Sequence, residues 1–462
     1  MNFRAWLLAY LAVPAVLFQP TRSVAVPSDA QSLGLAGASG TRRDSYTAWT
    51  SNPGISLDTR IDPYELQAGA GLIINSTERM WKPLDPEEPS MQARPEDGSP
   101  PGLTGFAAIR GFVPGTRFII SMGWFATTDD LIAFPTTRGS AITTSPLRFA
   151  SIKTRYTKQS ASMAVSRVFL DGRISIGAGG SLDRVTLRHK RHLSAFPQEE
   201  DPRPFEDTTW DMPVSVYMKD RWVPRCSLGA LVNPFSTLDI GLAASIRRGA
   251  RLSGRIDAQP PAGDPLAGFS GDNKATATLP WELEIIGSAA VSAGRFHFAV
   301  EITHVLRRKK PVEIHADEFN FRRGLTDGLN PWESMPFPFP FPQSSTRLSA
   351  ATEIALIKRM FFLRTGFSAL RSSMLQNPEE FSLNPVSPRK NLSNLATAGI
   401  AIHFERTRID LGYGYGFSRE TFTPMQPPPP YPFGIEPPMI PATTRKTSSH
   451  TAAFTISRAF SL

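Results

Sequence analysis

The sequence contains a single cysteine, Cys226, among its 462 residues. One thiol cannot form a disulfide within the chain, and it excludes zinc or iron–sulfur sites built from several cysteines. Only seven histidines are present, so we expect no metal and no other cofactor. Enzyme motifs are also lacking, because no Gly-x-Ser-x-Gly motif and no glycine-rich phosphate loop occurs.

Long hydrophobic runs are almost absent. The exception is at the N-terminus, where Arg4 precedes an apolar run over 5–18 and a Ser-Val-Ala motif ends at Ala25. This order predicts a secretory signal peptide over 1–25 with cleavage near Val26. The alternative is a membrane anchor, but a run of about 14 residues is shorter than the ~20 that a spanning helix needs. A soluble secreted protein and an outer-membrane β-barrel therefore remain.

Helical periodicity is scarce, whereas apolar and polar residues alternate with period two in many segments. The clearest examples are 238–247, 295–303 and 409–417. Side chains of a strand point alternately to opposite faces, so these segments predict strands with one apolar and one polar face. The 14 predicted strands are 62–75, 102–112, 116–127, 151–168, 173–190, 222–234, 238–256, 276–292, 295–306, 346–357, 360–372, 393–404, 406–419 and 447–460.

The connections between these strands alternate between long and short. Turns such as 170–172 and 292–294 are a few residues long, whereas every second connection is a long loop. Short turns at one end and long loops at the other are typical of outer-membrane barrels. The sequence therefore predicts an all-β fold, a 14-stranded antiparallel transmembrane β-barrel. A β-sandwich or propeller is the alternative, but most strands exceed the about 5 to 6 residues usual in globular proteins, and no repeat of about 40 residues marks propeller blades.

Residues 33–57, LGLAGASGTRRDSYTAWTSNPGISL, resemble the N-terminal hatch of the long-chain fatty acid transporter family (FadL type). That family carries a Gly-x-Ala-Gly start, a short polar stretch and an Asn-Pro-Ala element before its first strand. The matching positions are Gly34, Ala36, Gly37, Ala48, Asn52 and Pro53, with Gly54 in place of the alanine. Segment 278–303 is similar to a strand-turn-strand unit of the family, and the closing strand at 447–460 also fits.

The resemblance implies an N-terminal hatch over 26–61 that plugs a barrel over 62–462. It also implies capture of hydrophobic substrate at the extracellular face and sideways release through a gap at a kinked third strand. On this pattern the kink falls within 116–127, and Gly123 is our candidate because strand glycine often marks a bend. Alternatively, Gly123 packs beneath a neighbouring side chain.

Several charged residues fall on the polar faces of the predicted strands. Arg247, His297 and Arg364 are our candidates for a ligand path, since a basic side chain can pair with a carboxylate head group. The alternative is that such residues satisfy one another inside a polar lumen.

Asn52, Pro53 and Gly54 form the predicted hatch motif. Proline fixes its own φ, asparagine favours turns and glycine accepts positive φ, so we expect a sharp chain reversal before the first strand. Ligand contact or gating is the alternative role of these three residues.

The chain carries 50 Lys and Arg against 41 Asp and Glu, a net charge of +9 that favours an anionic partner. Basic clusters at 188–192, 247–255 and 307–310 fall at the outer ends of predicted strands. We expect these clusters to meet outer-membrane lipid and lipopolysaccharide phosphate, although a solvated loop margin would look the same. We expect no nucleic acid, because interleaved aromatics and nucleic-acid motifs are lacking.

The predicted function is a non-enzymatic channel of the bacterial outer membrane for long-chain fatty acids or hydrocarbons, with passive diffusion and lateral release. Proline-rich segments 335–342 and 427–441 would form an apolar landing groove or a lid. Alternatively, a barrel of the same fold acts as a scaffold or assembly protein that binds a partner through these segments. An enzyme would have to use isolated residues such as His304 and His403.

Overall fold

The computed structural model describes the chain in a series of ranges. These are 29–42, 48–55, 64–81, 92–93, 102–133, 153–194, 211–260, 262, 268–270, 273–307, 313–316, 320–323, 326–329, 335–336, 342–357, 360–374, 390–422 and 443–460. The predicted signal peptide and segment 427–441 lie outside these ranges, as does most of 335–342.

Two short helices precede the strands, α1 (Ala30–Gly34) and α2 (Ala48–Ser51). The strands are β1 (Tyr64–Trp81), β2 (Gln92–Ala93), β3 (Gly102–Phe112), β4 (Phe118–Ala133), β5 (Lys153–Phe169), β6 (Ile174–Ser194), β7 (Asp211–Phe235), β8 (Leu238–Arg247), β9 (Arg251–Ala258), β10 (Gly268–Ser270), β11 (Lys274–Thr278), β12 (Glu282–Ala293), β13 (Phe296–Arg307), β14 (Glu313–His315), β15 (Asn320–Arg323), β16 (Thr326–Leu329), β17 (Met335–Pro336), β18 (Pro342–Ile357), β19 (Phe361–Met374), β20 (Lys390–Phe404), β21 (Thr407–Phe422) and β22 (Thr443–Phe460). Within the described ranges, neither helix is long and apolar enough to cross a bilayer.

Fourteen antiparallel strands close into a barrel, which confirms the predicted fold. The closing contact joins the first and last strands, with Tyr64 opposite Phe460 and Trp81 opposite Thr443. Barrel closure pairs the edges that an open sheet would leave exposed. The barrel strands are β1, β3, β4, β5, β6, β7, β8, β12, β13, β18, β19, β20, β21 and β22.

The alternating sequence pattern places apolar side chains on the outside of the barrel. On β8, Leu242 and Ile246 are exposed while Ala243, Ser245 and Arg247 are buried inside. An apolar outer band of this kind, with a polar interior, is characteristic of outer-membrane barrels. Aromatic side chains mark the end with the short turns, including Tyr64 and Phe460, Phe296 and Phe298, and Phe118 and Phe169.

The strands near β7 extend well past the lipid-facing band, at the end with the long connections. Two predicted strands are divided here: 238–256 becomes β8 and β9, and 276–292 becomes β11 and β12. The lower part of β7 pairs with β8 and its upper part with β9, which in turn pairs with β11. We call the sheet formed by upper β7, β9, β11 and β14 the extracellular extension, because long loops mark the extracellular end of such barrels.

The break between these strands has a local physical cause. At Gly249 an added Cβ would lie 2.4 Å from the Leu279 carbonyl oxygen, so the two neighbouring strands approach too closely there for a side chain. Pro280 follows at once and has no N–H to continue a strand ladder. The register is the same on both sides of the interruption, with Arg247 opposite Glu282 below it and Arg251 opposite Thr278 above it.

Candidate functional site in the barrel lumen

The described residues 29–42 and 48–55, which we call the N-terminal segment, lie inside the barrel and are almost wholly buried. The Ala30 amide donates to Thr455 Oγ1 at 2.9 Å, and Thr397 Oγ1 donates to the Gly34 carbonyl at 3.1 Å. An added Cβ at Gly412 would lie 2.5 Å from the Ala30 carbonyl oxygen. The barrel wall is therefore glycine-lined where the segment touches it.

Asn52, Pro53 and Gly54 lie against the opposite wall. Asn52 Nδ2 donates to the carbonyls of Gly40 at 3.1 Å and Ala230 at 3.2 Å, and its Oδ1 accepts from the Gly54 amide at 3.0 Å. One side chain thus ties two parts of the segment to β7. Positive φ is found at Gly37, with φ 87°, and not at Gly54. Glycine is needed at position 54 because a Cβ would come within 2.6 Å of the Ala230 Cα.

Trp49 anchors α2 to the same side of the lumen. Its ring is 1% exposed and meets Phe125 edge-on, with ring centroids 5.7 Å apart. Phe106 stacks on Phe125 at 6.0 Å, and Ala108 and Ala164 complete this small apolar cluster.

A chain of buried charges crosses the lumen beside α1. Arg42 of the N-terminal segment donates to Glu353 at 2.9 Å, and Arg364 donates to the other oxygen of Glu353 at 2.6 Å. Arg364 also bonds Asp410, which accepts from Arg408 at 3.0 Å. Buried charges are stable only when paired, and here three guanidinium groups share two carboxylates.

A second carboxylate holds the segment from the neighbouring strand. Glu301 Oε2 accepts from the Gly40 amide at 2.8 Å, while Oε1 accepts from Arg347 at 3.2 Å. Hydrogen bonds to an ionised group are about twice as strong as neutral ones. Two charged groups of the wall, Glu353 and Glu301, therefore fasten the N-terminal segment.

A separate layer of charges lies at the upper end of β8 and β12. Arg247 donates to Tyr156 Oη at 3.0 Å and to Glu282 at 3.3 Å, and Glu282 also accepts from Arg307 at 2.8 Å. Arg225 pairs with Glu284 in the same layer. This polar layer separates the N-terminal segment below from the extracellular extension above.

Above the polar layer the interior becomes apolar. Sixteen buried residues of β5, β6, β7, β9, β11 and β14 and their flanks form one cluster, which we call the apolar cap. Its members are Tyr156, Val185, Leu187, Met212, Val214, Val216, Met218, Val223, Ala250, Leu252, Ile256, Ala275, Ala277, Leu279, Ile314 and Ala316. The lumen of a membrane barrel is ordinarily polar, so an apolar extracellular end is unusual.

The three candidate ligand-path residues separate into two places. Arg364 and His297 both flank Glu353: Arg364 bonds it, and His297 lies opposite it in the strand ladder and contacts Ser292 Oγ at 2.9 Å. Arg247 lies in the upper polar layer, directly under the apolar cap. Their role in a ligand path stays a prediction.

Sequence reasoning missed Arg42 and Tyr156. Arg42 stands in a polar stretch of the N-terminal segment, and nothing local indicates its partner 311 positions away. Tyr156 fits the alternating pattern of β5, which places its side chain inside the barrel. Its hydroxyl group accepts from Arg247, 91 positions away, and no local pattern indicates this contact.

The strand ladders run through Gly123 in register, from Ala108 on β3 to Ser162 on β5. An added Cβ at Gly123 would lie 2.9 Å from the Ala108 Cβ. This contact favours the interpretation in which Gly123 packs closely against a neighbour.

An apolar depression of about 600 Å³ lies on the outer, lipid-facing wall. Leu363, Leu411, Tyr413 and Phe454 form its sides, and Gly399 and Gly412 belong to its floor. The opposite surface of that floor touches α1 at Ala30 and Gly34. At these two glycines only the strand backbone separates the outer depression from α1 in the lumen.

The comparisons with known proteins agree with this architecture. A FadL homologue of Pseudomonas aeruginosa superposes with a TM-score of 0.66 at 13% identity, covering 93% of this chain and 98% of the homologue. The toluene transporter TodX of Pseudomonas putida gives 0.58 at 13% identity over 96% and 100%, and the toluene transporter TbuX of Ralstonia pickettii gives 0.54 at 11% identity over 92% and 98%. No protein-family model and no curated protein sequence matches the chain. The resemblance predicted from the sequence is thus confirmed for the fold, which is that of an outer-membrane β-barrel.

Proposed function

We propose that this chain is an outer-membrane channel that admits hydrophobic small molecules by passive diffusion. The apolar cap carries the proposal, because it puts a lipophilic interior where a solute from outside would first enter the barrel. Lipopolysaccharide is a polar barrier to such solutes. Transfer into an apolar site is favourable by about 25 cal/mol for each Å² of apolar surface removed from water.

The N-terminal segment serves as the hatch in this proposal. It fills the lumen below the cap and is held by Arg42, Gly40 and Asn52. A polar solute would have to displace these buried contacts, so the lumen stays closed to it. A hydrophobic solute would leave sideways into the bilayer, which needs a gap between two barrel strands.

Two ligand classes follow from the solved structures of similar fold. TodX and TbuX are toluene transporters, and the third relative is a FadL homologue. Monoaromatic hydrocarbons and long-chain fatty acids are therefore both proposed substrates. The chain would act without catalysis, in keeping with relatives that are transporters.

The test is equilibrium binding of labelled toluene and of a labelled long-chain fatty acid to the detergent-purified, folded chain. Val185→Thr with Val216→Thr preserves shape while adding two hydroxyls to the apolar cap. We expect about thirtyfold weaker binding, because each of the two hydroxyls buried against the ligand costs roughly 1 kcal/mol in partly compensated surroundings. Val165→Thr with Val300→Thr makes the same change on the lipid-facing wall and should leave binding unchanged.

A scaffold role is the second candidate, and a specific observation favours it. The chain of charges from Arg42 to Arg408 fills the lumen with ion pairs, as expected of a barrel that conducts nothing. Absence of saturable binding for both labelled ligands, by a barrel that keeps its heat-modifiable gel mobility, would reject the channel in favour of the scaffold.

A further inference from the structure

Arg167 is a charged residue on the lipid-facing side of the barrel wall. On β5, Met163, Val165 and Arg167 are exposed. The residues between them, Ala164 and Ser166, are buried in the lumen. Successive side chains of a strand point to opposite faces, so Arg167 shares the outer face with two apolar side chains. A charge on that face is costly unless it lies near the interface or meets an opposite charge.

Two aromatic rings hold the Arg167 guanidinium. Its Cζ atom lies 5.2 Å from the centroid of the Phe118 ring and 5.1 Å from that of the Phe169 ring. Each ring attracts the cation through its quadrupole, so the guanidinium is fixed between them. A guanidinium carries five N–H donors, and the rings take up charge without using these donors as a carboxylate would. We call Arg167 with Phe118 and Phe169 the arginine clamp.

The turns beside the arginine clamp carry more cations than carboxylates. Arg117 and Arg173 are both exposed there, and Asp171 is the acidic residue of the two turns over 113–117 and 170–173. Asp171 lies 3.8 Å from Arg117, but their side chains are 96% and 65% exposed, and such pairs contribute little. Among the described residues, no acidic side chain forms an ion pair with Arg167. Three cations therefore accompany one carboxylate, and the patch is positive.

The depth of Arg167 in the membrane identifies the kind of anion. In the strand ladders Arg167 lies opposite Phe118 of β4 and Ile176 of β6, which are 38% and 53% exposed. It lies two residues before β5 ends at Phe169, next to a short turn. Short turns mark the periplasmic end of such barrels, and the apolar band is about 25 Å tall. Lipopolysaccharide phosphate lies beyond the far side of that band, whereas phospholipid phosphate of the periplasmic leaflet lies at this margin.

We propose that the arginine clamp binds the phosphate of an anionic phospholipid in the periplasmic leaflet of the outer membrane. A guanidinium pairs with phosphate through two parallel hydrogen bonds, a geometry that an ammonium group does not reproduce. The acyl chains would lie against the exposed side chains of Val165 and Met163. Arg117 and Arg173 would favour a lipid with net negative charge. The clamp is on the outer wall, so it is independent of the transport proposed for the lumen.

The experiment measures how tightly the folded full chain retains phosphatidylglycerol in uncharged detergent micelles, by native mass spectrometry of the lipid-bound fraction. Arg167→Gln removes the guanidinium, and Arg295→Gln removes an exposed arginine of another short turn as the matched control. At the usual contribution of a hydrogen bond to a charged group, we expect about tenfold weaker retention for Arg167→Gln and no change for Arg295→Gln. Heat-modifiable gel mobility verifies that each variant is folded.

A second set of variants tests the rings separately from the charge. Phe118→Leu with Phe169→Leu keeps an apolar surface but removes both cation–π contacts, and should weaken retention about fivefold. Phe296→Leu with Phe298→Leu removes two exposed, stacked rings elsewhere on the wall and should change nothing. Arg167→Lys keeps the charge without the bidentate geometry and should lose only part of the affinity. Equal retention by the two pairs of leucine variants would contradict a clamp that positions the guanidinium.

Further ligands distinguish a phospholipid from other sources of phosphate. Phosphatidylcholine, which has no net charge, should be retained more weakly than phosphatidylglycerol. Inorganic phosphate at millimolar concentration should not displace the bound lipid, because it has no acyl chains to contact the wall. Displacement by inorganic phosphate would indicate a site for free anions, and equal retention of the two phospholipids would indicate general lipid adhesion. Either result would overturn the proposal, as would equal affinities of the Arg167→Gln and Arg295→Gln chains.

Discussion

The link between Arg42 and Glu353 should contribute measurable stability, although it joins the N-terminal segment to a wall strand far away in sequence. The pair is 2.9 Å apart, with side-chain exposures of 10% and 6%. The relevant perturbations are Arg42→Met, Glu353→Gln and the double variant. Glu353 keeps Arg364 after Arg42 is removed, so no carboxylate is left alone.

The expected magnitude follows from this geometry. A hydrogen bond to a charged group contributes about 1.5 to 3 kcal/mol, whereas an exposed ion pair contributes about 0.2 to 1 kcal/mol. We therefore expect a coupling energy near 2 kcal/mol between Arg42 and Glu353. Glu353→Gln alone should cost more than Arg42→Met alone, because it also weakens one of the two carboxylate contacts of buried Arg364.

The assay is urea unfolding of the refolded barrel in detergent, analysed as a double-mutant cycle. Arg117 and Asp171 provide the control pair: they are 3.8 Å apart, with 65% and 96% exposed side chains, and their coupling should stay below about 0.5 kcal/mol. If the Arg42–Glu353 cycle gave no more coupling than this control pair, the buried charges would not anchor the segment.

Three further predictions concern packing and membrane position. Gly412→Val should lower the midpoint of thermal unfolding, because its Cβ would meet the Ala30 carbonyl at 2.5 Å, whereas Gly287→Val, whose Cβ would lie 3.5 Å from the Ile302 side chain, should be tolerated. Trp49→Ala should cost about 3 to 5 kcal/mol in urea unfolding, since this ring is 1% exposed; a loss below 1 kcal/mol would contradict tight packing of α2. Cys226 is exposed on the outer wall and should react with a charged maleimide far more slowly in liposomes than in denaturant, because the hydrocarbon of a bilayer excludes a charged reagent; equal rates would place it in water.

The barrel was predictable because its strands obey a local rule. The alternation over 295–303 predicted β13 and its two faces, and the observed strand buries Ala299, Glu301 and Thr303 while exposing Phe298 and Val300. Period-two alternation fixes which side chains share a face whatever the partner strand is. Local alternation therefore yielded both the strand and the inward position of its charges.

The breaks and the pairings were not predictable in the same way. The interruption at Gly249 depends on the close approach of Leu279, thirty positions on, and no local pattern indicates such an approach. The alignment of Arg188 with Arg255 likewise depends on register, because both residues lie opposite Tyr217 of β7. A cluster of charges is visible in a sequence, but the strand register determines which charged residues become neighbours and on which face of the sheet they lie.

The contacts of the N-terminal segment also constrain how the chain reaches its final state. Ala30 bonds Thr455 across 425 positions, and Gly34 bonds Thr397 across 363. Contacts this distant in sequence raise the contact order and slow folding, because a long loop must close before they form. The helix α1 contacts β20 and β22, which lie near the C-terminus, so it can dock only after these strands have formed. Docking of the segment is thus a late folding event, and refolding kinetics should show it as a step separate from strand formation.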